Sequence, residues 1–452
     1  MAEAPVRPPD LSAPEAAVAP VGYDAPRVED LSRCVHCGFC LNFCPTYRAL
    51  GLETESPRGR LHLIRALGDE RIEPKGHVLR HLDLCLQCRA CETACPSGVP
   101  FGRIMEGARA QAVSKGRAPL AWRLRLFVLR RLLPHRRRLR LAAALLRIYQ
   151  RSGLQPFLRA TGLLRLLGLQ EADALLPRLP PRAFDRRGLV AGPADAPARK
   201  AALLSGCMMP FVYPQTHEAT ARLLARAGCQ VWVPERQVCC GALLVHAGDR
   251  ETARRLARRN IDAFLSLEPD AIIVNAAGCG STMKEYGELL AADPEYAEKA
   301  RRFSSLVRDI TEFLADPTGV CLPMEPPAAR LEQRVTYQDS CHLVHGQGVR
   351  SAPRALLSVV PGLELVEMEG ADRCCGSAGI YNVTQREMSL RLLAEKVEAI
   401  RATGAGLVVT ANPGCMLQIE TGLRLHGVPG RVAHVVEVLD DAYRAAEEEV
   451  AP

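Results

Sequence analysis

The chain has 452 residues, 48% hydrophobic and 24% charged, enough for two to four globular domains with ordinary cores. No run of about 18 apolar residues occurs, which excludes a membrane-spanning helix, and the N-terminus MAEAPVRPPDLSAPEAAVAP lacks the pattern of a secretory signal. A reducing, cytoplasmic compartment is therefore expected, where the 18 cysteines read as metal ligands or redox groups rather than disulfides.

The formal net charge of +8 is unevenly placed. Residues 107–170 carry 15 Lys plus Arg and no Asp or Glu, so the rest of the chain balances 43 against 50, or −7. Such a basic block suits an acidic partner: phospholipid head groups, nucleic acid or an acidic face of another subunit.

In chain order, residues 1–27 hold six prolines without apolar periodicity and read as a disordered arm. Residues 28–115 contain two cysteine runs around a polar stretch, with a helix predicted near Gly59 to Leu67, and form a small helical unit built round whatever the cysteines bind. Residues 116–198 repeat Leu and Arg at helical intervals, interrupted by Pro134 and later by Gly153 and Pro156, and end in a Pro, Ala and Gly-rich linker from about Leu179 to Pro197. These are basic amphipathic helices.

The remaining chain is a duplication over 199–320 and 333–445. Cys207, Cys239, Cys240 and Cys279 recur as Cys341, Cys374, Cys375 and Cys415, at offsets of 134, 135, 135 and 136 residues. Short apolar strands (AALLSG, QVWVP, AIIVNAA; then VTYQ, LELVEM, LVVTAN) alternate with helical stretches, as in parallel α/β units. The paired cysteines fall just after strands, at the carboxyl end of an open sheet where α/β folds bind ligands. The fold class expected is an α+β multidomain chain: a ferredoxin-type helical unit, a basic helical linker and two duplicated parallel α/β domains.

Two features carry chemistry. Cys34-x2-Cys37-x2-Cys40-x3-Cys44-Pro45 and Cys85-x2-Cys88-x2-Cys91-x3-Cys95-Pro96 each match the bacterial ferredoxin run in spacing. Because the fourth cysteine of such a run reaches the other cube, crossed ligation of two [4Fe-4S] clusters is expected: Cys34, Cys37, Cys40 and Cys95 on cluster A, and Cys85, Cys88, Cys91 and Cys44 on cluster B. Structural zinc, which takes four tetrahedral ligands commonly from two separated pairs, fits this spacing poorly. His36 and His62 read as packing or hydrogen-bonding residues, since eight thiolates complete both cubes. Arg58 and Arg60 either bring positive charge to a cluster or form a solvated surface pair.

The second feature is the Cys-Cys-Gly sequence of each duplicated half. Gly241 and Gly376 permit a tight backbone beside a ligand, and each half supplies four thiols, enough for a further cluster in each or one shared between them. Cys229 and Cys321 lie off the repeat and read as structural. His342 and His345 follow Cys341, where the first half has Met208 and Met209; they either tune the site, shuttle a proton or pack. No G-x-G-x-x-G opens a helix after a strand, so a flavin belongs elsewhere. Nucleic acid is not expected, because base-stacking aromatics are only scattered through the basic stretch.

Over residues 31–445 the chain resembles the iron-sulfur subunits of glycolate oxidase and, more widely, of anaerobic glycerol-3-phosphate dehydrogenase, lactate utilisation and heterodisulfide reductase. SCHLVHGQ from Ser340, CCGSAGIYNVTQ from Cys374 and ANPGCMLQI from Ala411 look most like the glycolate oxidase subunit. The resemblance implies a non-catalytic electron-transfer subunit of a flavin-dependent 2-hydroxy-acid dehydrogenase, with FAD on partner subunits and a quinone or other acceptor. The alternatives are a lactate or glycerol-3-phosphate dehydrogenase subunit, or a disulfide-reducing catalytic subunit. The heterodisulfide reductase relatives end each domain in Cys-x2-Cys. Here Cys279 is followed by Gly280, Ser281 and Thr282, and Cys415 by Met416, Leu417 and Gln418, which counts against disulfide reduction. The basic helices are expected on the chain's own surface or as a peripheral contact with the inner face of the membrane.

Overall fold

Proline and serine punctuate the N-terminal unit. In the computed structural model, which describes residues 24–168, 170, 173, 176–192, 199–316 and 325–450, helices Pro45–Leu50 and Pro57–Gly68 both begin at a proline whose fixed φ suits a first helical turn. The Ser56 hydroxyl caps the second by accepting from Gly59 N–H at 2.9 Å. Helices Gly76–Asp83, Ala90–Thr93 and Phe101–Ser114 complete the unit. The arm expected over 1–27 lies outside the described residues as far as residue 23, as do residues 193–198 of the linker and Cys321.

The Leu/Arg repeat forms helices Leu120–Leu132 and Arg136–Arg151, separated at Pro134, then short helices Leu154–Ala160 and Leu163–Leu166. Pro156 does not interrupt, contrary to expectation. It sits in the first turn of its helix, where its missing N–H has no partner to lose, and left-handed Gly153 makes the break. Trp122, Leu126, Leu129 and Leu139 turn inward, and the Trp122 indole N–H donates to the Ala247 carbonyl at 2.8 Å.

Two sheets follow. The first contains β1 (Gly188–Ala191), β2 (Lys200–Leu203), β3 (Gln230–Val233), β4 (Ala271–Val274) and β5 (Val307–Asp309) in the order β1-β3-β2-β4-β5. The second contains β6 (Gln333–Gln338), β7 (Leu363–Leu365), β8 (Leu407–Thr410) and β9 (Arg431–His434) in the order β7-β6-β8-β9. Apart from β1, which joins β3 antiparallel, every pairing is parallel and the two orders are the same. The duplication is thus one of structure, and the α/β class expected holds. β4 and β8 are buried along their whole length, because helices cover both faces. β1 lies inside the stretch read as a linker, while β5 and β9 are short strands that apolar-run counting does not pick out.

The halves pack carboxyl end to carboxyl end. Ala277 N–H donates to the Ala411 carbonyl at 3.2 Å, and Gly278 N–H to Asn412 Oδ1 at 3.3 Å. Helix Pro214–Arg226 lies on helix Val435–Val450, joined by Arg222 and Asp440 at 2.6 Å. The N-terminal unit has no separate core: Leu82, Met105, Trp122, Leu244 and Phe264 belong to one buried cluster. Arg109, itself buried, donates to the carbonyls of Leu82 at 2.6 Å, Cys85 at 2.7 Å and His246 at 2.7 Å, tying the second cysteine run to the first α/β half.

His217 and His434 are fully buried, and burial lowers them from 6.5 to about 3 and about 4 respectively. In the unfolded chain both take up a proton near 6.5, so their share of stability is complete above that pH and is lost as the pH falls toward 4 and 3. The loss amounts to roughly 2 kcal/mol each at pH 5. Urea midpoints measured between pH 7 and 5 should fall more steeply for the parent than for His217→Asn; equal slopes would count against the assignment.

Candidate functional site

Each ferredoxin-type run turns its backbone in the same way. The second and fourth residues after its first cysteine are left-handed: His36 (φ 55°) and Gly38 (φ 86°), then Gln87 (φ 53°) and Arg89 (φ 63°). Three of these are not glycine, a strained choice that persists where the surroundings demand it. Such turns point successive N–H groups toward an anionic centre, and Gln87 N–H donates to Cys85 Sγ at 3.4 Å.

Two cavities result. One is lined by Cys34, Cys37, Cys40 and Cys95 with His36 and Arg58, the other by Cys44, Cys85, Cys88 and Cys91 with Thr46 and Arg60. Cys44 and Cys95 therefore stand with the run to which they do not belong in sequence. The first cavity opens at the surface, where Cys37, Val35 and Phe39 are exposed. The cysteines of the second are all buried. Burial pushes the Cys40 thiol up to about 11, and the Cys88 and Cys91 thiols well above their ordinary value. Thiols so placed ionise when a metal replaces the proton, so the donor set fits an iron-sulfur cluster.

The arginines divide between the cavities. Arg58 donates to Glu53 Oε1 at 2.6 Å and to the His36 carbonyl at 3.2 Å, half-exposed beside the first. Arg60, 1% exposed, donates to Glu55 Oε2 at 2.6 Å, Thr46 Oγ1 at 3.0 Å and the His81 carbonyl at 2.8 Å, with Cys44 Sγ at 3.9 Å. Burial opposes its charge, but Cys85, Cys44 and Glu55 outweigh this and raise it. The surface-pair reading of Arg60 is thereby corrected. His62 is exposed on its helix, and Cys229 is buried at the base of β3.

Cys207 and Cys279, after β2 and β4, and Cys341 and Cys415, after β6 and β8, flank the switch point of each sheet, where strand order reverses, and the Cys-Cys-Gly loops follow the neighbouring β3 and β7. In the first half the thiols touch in sequence: Cys207 to Cys239, Cys239 to Cys240, Cys240 to Cys279. In the second, Cys341 meets Cys374, Cys374 meets Cys375, and Cys375 meets Cys415. Both glycines are left-handed, and a Cβ on Gly376 would stand 2.6 Å from the Ser389 carbonyl oxygen. Among the described residues no three His, Cys, Asp or Glu converge on a single-ion position; the ferredoxin thiols stand around cavities.

The second ferredoxin cavity adjoins the second quartet. Cys88 and Cys374 share a buried cluster with Tyr381 and Leu392, and Cys341 packs against it. Tyr381 O–H donates to the Leu84 carbonyl at 2.9 Å, His342 Nε2 lies 2.9 Å from the Gln87 carbonyl, and His345 Nδ1 lies 2.9 Å from Thr93 Oγ1. The two histidines thus fasten the ferredoxin loop to the second half, and burial lowers His342 to about 3.

Sequence reading passed over Lys396. It is 3% exposed on helix Arg386–Thr403 and donates to the Gly370 carbonyl at 2.6 Å. Burial lowers its ammonium to about 8, with Cys375, Cys374 and Cys415 acting in the opposite direction. The available signal was a lysine in the apolar stripe of its helix.

Comparison with known proteins agrees with this construction. The 4Fe-4S dicluster domain matches residues 30–99, the linker region of the glycolate oxidase iron-sulfur subunit matches 122–176, and the cysteine-rich domain matches twice, at 201–284 and 335–420. These define an iron-sulfur redox protein of the dicluster type with a duplicated cysteine-rich domain. A probable glycolate oxidase iron-sulfur subunit of Bacillus subtilis is 44% identical over 91% of this chain and 94% of its own. The glycolate oxidase iron-sulfur subunit of Escherichia coli is 34% identical over the same shares, 91% and 94%. A fumarate reductase (CoM/CoB) subunit from Methanothermobacter marburgensis is 30% identical over 91% of this chain and 72% of its own. The chain belongs to the family of glycolate oxidase iron-sulfur subunits.

Replacing Arg60 by Met leaves the Glu55 carboxylate, 4% exposed, facing only His81 at 2.5 Å. Breaking one side of a buried pair costs about 3–5 kcal/mol. Guanidinium denaturation should register a loss of this size, with Arg60→Lys intermediate.

Proposed function

We propose that the chain relays electrons within a glycolate-oxidising complex, from a flavin on a partner subunit to a quinone or other acceptor. The observation that carries this reading is the contact between the buried ferredoxin cavity, at Cys88, and the second quartet, at Cys374 and Cys341, while the other ferredoxin cavity opens at the surface. Cys34, Cys37, Cys40 and Cys95 would hold one [4Fe-4S] cluster, and Cys44, Cys85, Cys88 and Cys91 the other. Clusters held there would supply one-electron exchange, suited to dividing the pair that a flavin accepts.

The protein's own residues supply the rest. Buried walls exclude water from the inner cavity, and Arg60 presents fixed positive charge to it, favouring the reduced state. Val35, Phe39 and Phe43 form an exposed apolar rim near the outer cavity, suited to a partner that must approach closely. The chain's resemblance to glycolate oxidase subunits favours glycolate as the partner's substrate over lactate or glycerol 3-phosphate.

An anaerobic pull-down of the tagged chain, assayed for dye reduction with glycolate, D-lactate, L-lactate and glycerol 3-phosphate, tests this. Glycolate-dependent activity with a co-purified flavoprotein is expected. Cys95→Ser and Cys37→Ser should each perturb the same cluster signal in electron paramagnetic resonance, and Cys44→Ser and Cys88→Ser the other. A chain that reduces a disulfide alone, with no flavoprotein, would overturn the relay.

A second surface supports peripheral attachment to anionic lipid. Leu124, Phe127, Leu141, Leu145 and Ile148 are exposed on the arginine-rich helices, where they can enter a membrane interface while arginines meet phosphate. No helix among the described residues is long and apolar enough to span a membrane. Flotation with phosphatidylglycerol vesicles should carry the chain, phosphatidylcholine alone should not, and Phe127→Asp with Leu145→Asp should abolish it.

A further inference from the structure

Beside the inner ferredoxin cavity, one imidazole lies on a carboxylate that lines a separate, open cavity. His246 ends helix Ala242–His246 of the first half, and Glu106 lies on helix Phe101–Ser114 of the ferredoxin unit. His246 Nδ1 and Glu106 Oε1 are 3.0 Å apart. Two further contacts hold His246 against the inner cysteine run. The Arg109 guanidinium donates to the His246 carbonyl and to the Cys85 carbonyl, each at 2.7 Å. His342 stands edge-on to the His246 ring, centroids 5.0 Å apart, and its own Nε2 lies 2.9 Å from the Gln87 carbonyl.

The acceptors fix where the protons sit. Burial works against the Glu106 charge, but His246, Arg250 and Arg89 outweigh it and hold the carboxyl below its usual range. An ionised carboxylate only accepts, so His246 carries its proton on Nδ1 and keeps a lone pair on Nε2. That Nε2 is buried and has no hydrogen-bond partner among the described residues. A carbonyl also only accepts, so His342 carries its proton on Nε2, and burial keeps it neutral by lowering it to about 3. Apart from Arg109, spent on carbonyls, the charges packed around the pair are answered. Arg89 meets Glu92 and Glu285, Arg103 meets Asp30 and Glu288, and Arg250 meets Asp24. From helix Leu120–Leu132, Arg125 meets Asp83 and Arg130 meets Asp249. Glu106 lines a cavity whose rim residues Glu285 and Glu288 are more than a third exposed, which gives protons a way in. The other imidazole on a buried carboxylate near the inner cavity, His81 on Glu55, shares that carboxylate with Arg60. An electron added to a buried centre raises the proton affinity of a base nearby, because a dry interior screens little.

We propose that His246 is a proton-uptake site coupled to the inner cluster: each electron passed there from the partner's reduced flavin is accompanied by one proton from solvent, bound at His246 Nε2 beside Glu106. The charges balance, since the cluster gains one negative charge and the imidazole one positive. When the electron leaves for the next acceptor, the proton returns to solvent. This rests on the reading that Cys44, Cys85, Cys88 and Cys91 hold a [4Fe-4S] cluster, and extends it from electron transfer to proton-coupled electron transfer. The potential of that cluster is then flat where His246 is charged in both redox states and flat again where it is neutral in both. Between the two it falls as pH rises, by tenfold in the reduction equilibrium per unit, about 59 mV for one electron.

The test is a redox titration of the full chain, reconstituted anaerobically with iron and sulfide, across about pH 5 to 9, where imidazoles titrate. The paramagnetic signal to follow is the one that Cys44→Ser and Cys88→Ser perturb. In the parent its potential should fall by about 59 mV per pH unit over at least one unit. His246→Gln keeps a donor for Glu106 but does not titrate, and should flatten the profile with iron content unchanged. Glu106→Gln should move the sloping segment to lower pH, because the imidazolium loses its counter-charge. His81→Gln should leave the profile as it is. Within the sloping range the reduced-minus-oxidised infrared spectrum should show an imidazole mode passing to its imidazolium form, absent from His246→Gln. A histidine that merely packs would shift the potential equally at every pH. The proposal is overturned by a parent potential that ignores pH, or by a slope that survives His246→Gln. Loss of glycolate-linked activity with the slope intact would refute the relay alone; an active relay whose inner-cluster potential ignores pH would refute this inference alone.

Discussion

A thiol in a protein interior keeps its proton unless a cation replaces it, and ten of the seventeen described cysteines are buried. The surrounding structure is arranged about this constraint. Left-handed turns at His36, Gly38, Gln87 and Arg89 shape the two cysteine runs, with Gln87 N–H on Cys85 Sγ, and Arg60 and Lys396 are both buried. Both are expensive placements for arginine and lysine, and Arg60 is answered by Glu55 at 2.6 Å.

The same constraint explains why the ferredoxin unit is not a separate module. Its cavities leave little space for an apolar core, so its helices borrow one from the first α/β half through Leu82, Met105 and Trp122, with Arg109 joining the backbones. On the other side Tyr381, His342 and His345 pin the second cysteine run to the second half. These contacts keep Cys88 beside Cys374 and Cys341. Two cysteine-rich halves of the same topology consequently have different surroundings, since the second packs its thiols against the inner cavity.

Much of this was legible in the sequence. Ferredoxin spacing singled out eight cysteines: x2 steps wrap three thiols round one centre, and the fourth, after x3 and before proline, is the one expected to reach the other. The near-constant offset of the other eight exposed the duplication, and continuous apolar runs located β2, β3, β4, β6, β7 and β8. Less visible were β1, β5 and β9, short edge strands whose sequences lack a long apolar run. Pro156 misled because a proline's effect depends on its place within a helix, which only the helix start reveals.

The sequence by itself determined the class of chemistry, since thiol number and spacing dictate which metal centres a flexible chain can wrap. It also determined the architecture, since hydrophobic period dictates helix or strand. Only the tertiary structure decided which thiol group neighbours which, that Arg60 is buried and Arg58 is not, and that Lys396 is buried against the Gly370 carbonyl. Charge and dielectric act through space. Residues 55, 60 and 81, or 88 and 374, acquire their meaning when folding removes the water between them.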